Sequence, residues 1–128
     1  MTGNRYDIIV AEDEAIIALE LKLLLIRNNY NVLAVVKSGE DLIEESSKQN
    51  PDVIITDINL KGKLNGIEAA KMINKKGKKT PVIFVTGYSD EGTHTTAMTA
   101  SPDAFLLKPF NERSLIKSVN DCVIHNYH

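Results

Sequence analysis

The chain has 128 residues, 43% of them hydrophobic and 25% charged, the proportions of one water-soluble globular domain with a real core. A formal net charge of −2 supplies no electrostatic attraction to nucleic acid or to an anionic membrane, so neither is expected as a direct partner. The single Cys122 excludes an internal disulfide and fits a reducing compartment.

Along the chain, Asp7–Ala11 is expected as a buried strand, followed by a helix from Glu14 to about Asn28. Asn28 and Asn29 supply its stop, because asparagine tolerates left-handed backbone. Val32–Val36 reads as a second strand, and Ser38 with Asp41 as the N-cap of a helix reaching Gln49. Asn50 and Pro51 break that helix before a third, β-branched strand, Asp52–Thr56. A loop with Gly62 and Gly66 precedes a short helix carrying Ile67, Ala70 and Ile73 on one side. Lys75–Lys79 is expected as a solvated basic turn, and Thr80 and Pro81 introduce a fourth strand, Val82–Val85. Asp90–Ala100 reads as a weak helix, since it holds Gly92 and four threonines. Ala104–Leu107 is the fifth strand, and Asn111 caps a last helix on which Leu115, Val119 and Cys122 share a face.

Strands alternating with helices in this way predict an α/β fold: a five-stranded parallel sheet with helices on both faces. Right-handed crossovers leave few arrangements, of which strand order 2-1-3-4-5 is among the commonest. No linker or internal repeat interrupts the chain, so residues 1–128 are expected to form a single domain. No apolar run approaches ~20 residues, and Met1–Asp7 lacks a signal peptide's apolar stretch; a cytoplasmic protein without membrane insertion is the expectation.

The first helix carries two apolar stripes. Ile17, Leu21, Leu24 and Leu25 form one, and Ile16, Leu19, Leu23 and Ile26 a second. A helix on one face of a sheet needs a single stripe. The second stripe is expected to be buried under neighbouring helices, the alternative being an exposed patch for a partner helix or a second copy.

Five residues carry the chemistry. Glu12 and Asp13, Asp57, Thr86 and Lys108 each stand where a short apolar run ends, so parallel strands would bring them to one sheet edge, where open α/β sheets hold ligands. Carboxylates, a hydroxyl and an ammonium suit a divalent metal and a phosphoryl group.

The segments IIVAEDE, PDVIITDINLKGKLNGIEAA, PVIFVTGYSD and FLLKPF, in this order and spacing, resemble the receiver (phospho-acceptor) domains of two-component response regulators, from Asp7 to about Ile124. The resemblance implies the flavodoxin-like receiver fold, with Asp57 as phospho-acceptor. It implies Mg²⁺ (or Mn²⁺) held by Asp13, Asp57 and the backbone carbonyl of Asn59, with Glu12 acting through water. Lys108 would pair first with Asp57 and then with a phosphoryl oxygen, and Thr86 would donate its hydroxyl to another. Thr86 and Phe105 are the implied switch, Asn59 and Tyr88 the residues that tune phosphoryl lifetime, and Lys108–Pro109 an expected cis bond. The donor would be a phosphohistidine on a sensor histidine kinase or a phosphotransfer protein. The surface of the fourth helix, fifth strand and fifth helix would then regulate a downstream effector, and a homodimer is also compatible. Such a domain catalyses its own phosphorylation and slow self-dephosphorylation and is not a turnover enzyme. Three clustered acids should repel one another and raise at least one pKa, which a metal would relieve.

Two other readings use the same residues. A haloacid dehalogenase-type phosphatase also has a strand-end aspartate, a threonine, a lysine and Mg²⁺, but it places a second aspartate two residues after the nucleophile, where this chain has Asn59. A receiver-like binding module that is never phosphorylated would typically lack the acid pair, the acceptor or the lysine, all of which are present. His94, His125 and His128 have no metal-ligand spacing and are expected at the surface.

Overall fold

Short β-branched runs make most of the strands, and Ser38, Asn65 and Asn111 cap the starts of three of the helices. The computed structural model describes residues 5–75, 79–87 and 91–126, excepting the side chains of 91–94 and 125–126. In chain order the elements are β1 (Asp7–Ala11), α1 (Ala15–Arg27), β2 (Asn31–Val36), α2 (Gly39–Gln49), β3 (Val53–Asp57), α3 (Gly66–Asn74), β4 (Val82–Thr86), α4 (Glu91–Met98), β5 (Ala104–Leu107) and α5 (Glu112–Asn126). The sheet has the expected order, β2-β1-β3-β4-β5, and its neighbours pair in parallel.

Alternation along the strands feeds two cores. Ile8 and Val10 of β1 join Leu21 and Leu25 of α1 and Leu115 and Val119 of α5 on one face. Ile9 and Ala11 join Ile54, Phe84, Leu42 of α2 and Ala70 of α3 on the other. Each large aliphatic side chain fully removed from water contributes roughly 1.5–3 kcal/mol, so both faces are held firmly and the strand ends stay in register.

The helix boundaries follow the local chemistry. Ser38 Oγ accepts the Asp41 N–H at 3.1 Å, and Asn111 Oδ1 accepts that of Ser114 at 2.8 Å, as the sequence predicts. Left-handed backbone falls at Asn29 (φ 70°) and Asn50 (φ 49°), just beyond α1 and α2. β3 starts one residue later than expected and takes in Asp57. Asp52 stands just before the strand and clasps Asp7 of β1 twice: its N–H donates to the Asp7 carbonyl and its carboxylate accepts the Asp7 N–H, both at 2.7 Å. α3 begins at Gly66 behind a capping box, in which Asn65 and Glu68 each accept the other's backbone N–H.

The second stripe of α1 is not buried. Ile16 is 84% exposed, Leu19 56%, Leu23 57% and Ile26 49%. The sheet can cover only one side of the helix, and α5 packs beside it rather than above it: Arg27 and Asn28 bond Glu112 from the flank. No helix among the described residues is long and apolar enough to cross a membrane.

Candidate functional site

Because the strands run parallel, their carboxyl ends share one edge, and the chain leaves each strand with a polar residue. Glu12 and Asp13 follow β1, Asp57 ends β3, Thr86 ends β4 and Lys108 follows β5. Pairing of Ala11 with Thr56, Asp57 with Val85 and Thr86 with Leu107 sets these residues side by side. Asp13, Asp57 and Lys108 among them line a cleft of about 460 Å³, together with Glu14, Asn59 and Gly87.

Lys108 ties the cleft together. Its Nζ lies 2.9 Å from Asp57 Oδ2, 2.9 Å from Glu12 Oε1 and 3.6 Å from Glu14 Oε1. The backbone turns the lysine inward: its N–H donates to the Thr86 carbonyl at 2.8 Å, and the Lys108–Pro109 bond is cis, as expected. Burial works to lower the Lys108 pKa, but its hydrogen bond to Asp57 and its close ion pairs with Asp57 and Glu12 outweigh it, and the net shift is upward. The ammonium is therefore permanently charged at neutral pH. Burial raises the pKa of Glu12, with the Asp57 charge adding to it, while Lys108 and the Glu14 N–H offset part of the rise. The expected upward shift in the acid cluster thus falls on Glu12, and desolvation outranks repulsion as its cause.

Asp57 is positioned from below and from the side. Its Oδ1 accepts the Asn59 N–H at 3.0 Å, and only 6% of the residue is exposed. Beneath it, the Gly66 N–H donates to the Ile58 carbonyl at 2.9 Å. A Cβ on Gly66 would overlap the Asp57 carbonyl oxygen and stand 3.0 Å from Thr56 Oγ1, so this position requires glycine for close approach. Further along, Glu40 of α2 accepts the N–H groups of Lys63 (3.2 Å) and Leu64 (2.9 Å). These bonds, Leu64's first, lower the Glu40 pKa. Ser38 and Lys61 add a parallel bridge between the same two segments.

The structure gathers Glu12, Asp13, Asp57, Asn59, Thr86 and Lys108 at one edge. Thr86 is 2% exposed at the end of β4. Phe105 is half-buried on β5, its ring centroid 5.7 Å from that of Phe84. Tyr88 lies outside the described residues, as do His128 and the side chains of His94 and His125. Two participants escape the sequence reading. Glu14 lines the cleft, and the run Glu12-Asp13-Glu14 is the signal for it. Gly66 underlies Asp57, and the Asn65-x-x-Glu68 spacing marks the helix start that brings it there.

The donor set fits a hard divalent cation. Carboxylate oxygens of Glu12, Asp13, Glu14 and Asp57 all lie within 4.8 Å of one another, and Glu12 Oε1, though ion-paired with Lys108, is buried without a well-directed hydrogen bond. All-oxygen, multiply anionic sites suit Mg²⁺ or Mn²⁺ over softer metals.

Comparison with known proteins points the same way. A family model described as the response regulator receiver domain matches residues 8–120. The transcriptional regulatory protein ResD of Bacillus subtilis (strain 168) is 32% identical over 116 residues, covering 91% of this chain and 47% of ResD. The transcriptional regulatory protein PdtaR of Mycobacterium tuberculosis is 30% identical over 112 residues, covering 88% of this chain and 54% of PdtaR. This chain therefore spans about half the length of these curated relatives. Among solved structures, the signal receiver domain of a modulated diguanylate cyclase from Desulfovibrio desulfuricans G20 superposes with a TM-score of 0.88 at 29% identity, covering 95% of this chain and 96% of that one.

Proposed function

The chain belongs to the response regulator receiver domain family of two-component systems, and on that premise we propose that it accepts a phosphoryl group on Asp57 from a phosphohistidine and passes the change to a partner. One observation carries this reading: a permanently charged Lys108 ammonium 2.9 Å from Asp57 Oδ2, in a cleft where four carboxylates converge.

In the proposed transfer, an Asp57 carboxylate oxygen attacks phosphorus, the P–N bond of the donor breaks, and the imidazole leaves as the neutral base. Lys108 exchanges its contact with Asp57 for one with a phosphoryl oxygen, acting as a compact point charge. The Thr86 hydroxyl donates to another phosphoryl oxygen. Asp13, Asp57 and the Asn59 carbonyl would hold Mg²⁺, with Glu12 acting through water. The bound cation would neutralise the repulsion between carboxylate and phosphoryl oxygens. Positioning and charge neutralisation supply most of the acceleration, so no general base is needed.

Inward movement of Thr86 toward the phosphoryl group would let Phe105 turn inward. The change would appear on the α4, β5 and α5 surface, where a downstream effector reads it. Asn59 and Tyr88 would set how long the acyl phosphate survives. Residues 1–128 would act as one cytoplasmic receiver unit that modifies itself and turns over no separate substrate. The sensor histidine kinase or a phosphotransfer protein is the proposed donor.

Intact mass after incubation with Mg²⁺ and a kinase or acetyl phosphate tests the proposal. A gain of one phosphoryl group that requires Mg²⁺ and is absent in Asp57→Asn supports it. Phosphorylation persisting in Asp57→Asn would move the acceptor elsewhere. Steady turnover of a phosphate ester would instead favour the dehalogenase-type phosphatase.

A further inference from the structure

Glu14 is an acid of the cleft that the proposed chemistry leaves without a task. It occupies the N-cap position of α1, yet its side chain makes no capping hydrogen bond. That side chain is 65% exposed, whereas those of Glu12 and Asp57 are 1% and 7% exposed. Its Oε1 stands 3.6 Å from Lys108 Nζ. Asp57 and Glu12 thus hold the buried side of the ammonium, and Glu14 stands on its solvent side. Glu14 lines the cleft that also holds Asp57 and Lys108, so a phosphoryl group drawn to that ammonium comes close to this carboxylate.

We propose that Glu14 selects the phosphoryl donor by charge, disfavouring acyl phosphates relative to nitrogen-linked donors such as phosphohistidine. The inference rests on Asp57 being the acceptor. With its ring nitrogen protonated, phosphohistidine carries one net negative charge fewer than an acyl phosphate at neutral pH. Transfer from it forms the Asp57 O–P bond, breaks the P–N bond and releases neutral imidazole. Transfer from acetyl phosphate forms the same bond, breaks the acyl O–P bond and releases acetate, with one more negative charge brought to the cleft throughout. A unit charge at roughly 6 Å in water alters the rate about threefold for each unit of donor charge. Salt weakens this, because the Debye length falls to about 3 Å at 1 M. Glu14 would therefore slow transfer from small acyl phosphates about threefold more than transfer from a protein phosphohistidine.

The test compares wild type, Glu14→Gln and Glu14→Asp under saturating Mg²⁺, following phosphorylation by intact mass with acetyl phosphate and with phosphoramidate, which carries one negative charge fewer. Glu14→Gln should raise the acetyl phosphate rate constant about threefold more than the phosphoramidate one. The difference should shrink in high salt, and Glu14→Asp should keep the wild-type ratio. Equal changes for both donors, or a ratio indifferent to salt, would overturn the inference. So would weaker Mg²⁺ binding in Glu14→Gln by calorimetry with no dependence on donor, which would assign Glu14 to the metal. A wild type that takes no phosphoryl group from either donor or from a kinase removes the Asp57 reading, and this inference falls with it. An unchanged donor ratio in a protein that is phosphorylated removes this inference alone.

Discussion

Gly66→Ala should destabilise the protein substantially, although alanine is the better helix former. At an exposed helical position the exchange would gain up to about 1 kcal/mol. Here the new methyl overlaps the Asp57 carbonyl oxygen and crowds Thr56 Oγ1. Both belong to the buried end of β3 and cannot swing aside as a flexible side chain would. Relief needs roughly 1 Å of movement of the first turn of α3, at a typical overpacking cost of about 1–3 kcal/mol. That movement also stretches the 2.9 Å bond from the Gly66 N–H to the Ile58 carbonyl, whose loss adds about 1–3 kcal/mol if the groups stay buried. The net expectation is a loss of about 2–4 kcal/mol. With an unfolding entropy near 2.1 cal/mol/K per residue, 128 residues give about 0.27 kcal/mol/K, hence a fall in Tm of roughly 7–15 °C. Thermal melts by circular dichroism measure it, and Gly87→Ala is the control, since a Cβ there meets nothing within 4 Å. A Gly66→Ala protein that melts at or above the wild-type temperature would refute the close-approach argument.

Lys108→Met should cost about 3 kcal/mol at neutral pH, because it strands the buried Glu12 charge. The Glu12 pKa is already raised by burial and would rise further; a raised carboxyl destabilises above its folded pKa and ceases to as pH falls through it. Lys108, its pKa raised, remains fully charged in the wild type across this range, so urea melts from about pH 8 down to pH 5 should show the deficit shrinking; a constant deficit would contradict the sign. Mg²⁺ at about ten times its Kd should stabilise the protein by about 1.4 kcal/mol, near 5 °C in Tm. Asp13→Asn should remove most of that gain, and an equal gain in the variant would take Asp13 out of the ligand set. On α1, Leu23→Ser should leave stability within about 0.5 kcal/mol, whereas Leu21→Ala should cost about 3 kcal/mol; similar losses in chemical denaturation would mean the outer face is covered.

Much of this architecture is written in short-range patterns. Asp57, Thr86 and Lys108 each follow an apolar run, and in a parallel sheet that places them together with no further information. Ser38 and Asn111 announce their helices because a cap is a bond between residues three apart. Less legible were features that depend on what lies across the fold. The face of α1 that meets the sheet is ambiguous because Ile16, Leu19, Leu23 and Ile26 look as apolar as Leu21 and Leu25. The demand for glycine at position 66 comes from the Asp57 carbonyl, nine residues earlier in the chain. The Glu12–Lys108 ion pair joins β1 to β5 across the sheet, a contact that neither local segment encodes. Asp52 shows the limit at a boundary: its N–H still bonds the Asp7 carbonyl, but its carboxylate takes up the Asp7 N–H, a side-chain partner that apolar periodicity does not register.

The segment leaving Asp57 is braced like a truss. It is pinned at its root by the Asn59 and Gly66 N–H groups, in its middle by the Lys61 bridge and the Glu40 carboxylate, and at its far end by the Asn65–Glu68 box. A span so closely tied has no slack with which to fold over Asp57 as a lid. An acyl phosphate proposed at Asp57 would then be shielded from water by side chains fixed at the cleft, Asn59 among them, rather than by a closing loop. Under the proposed function, exchange of such a side chain would retime the signal while the backbone bonds that anchor Asp57 stay in place.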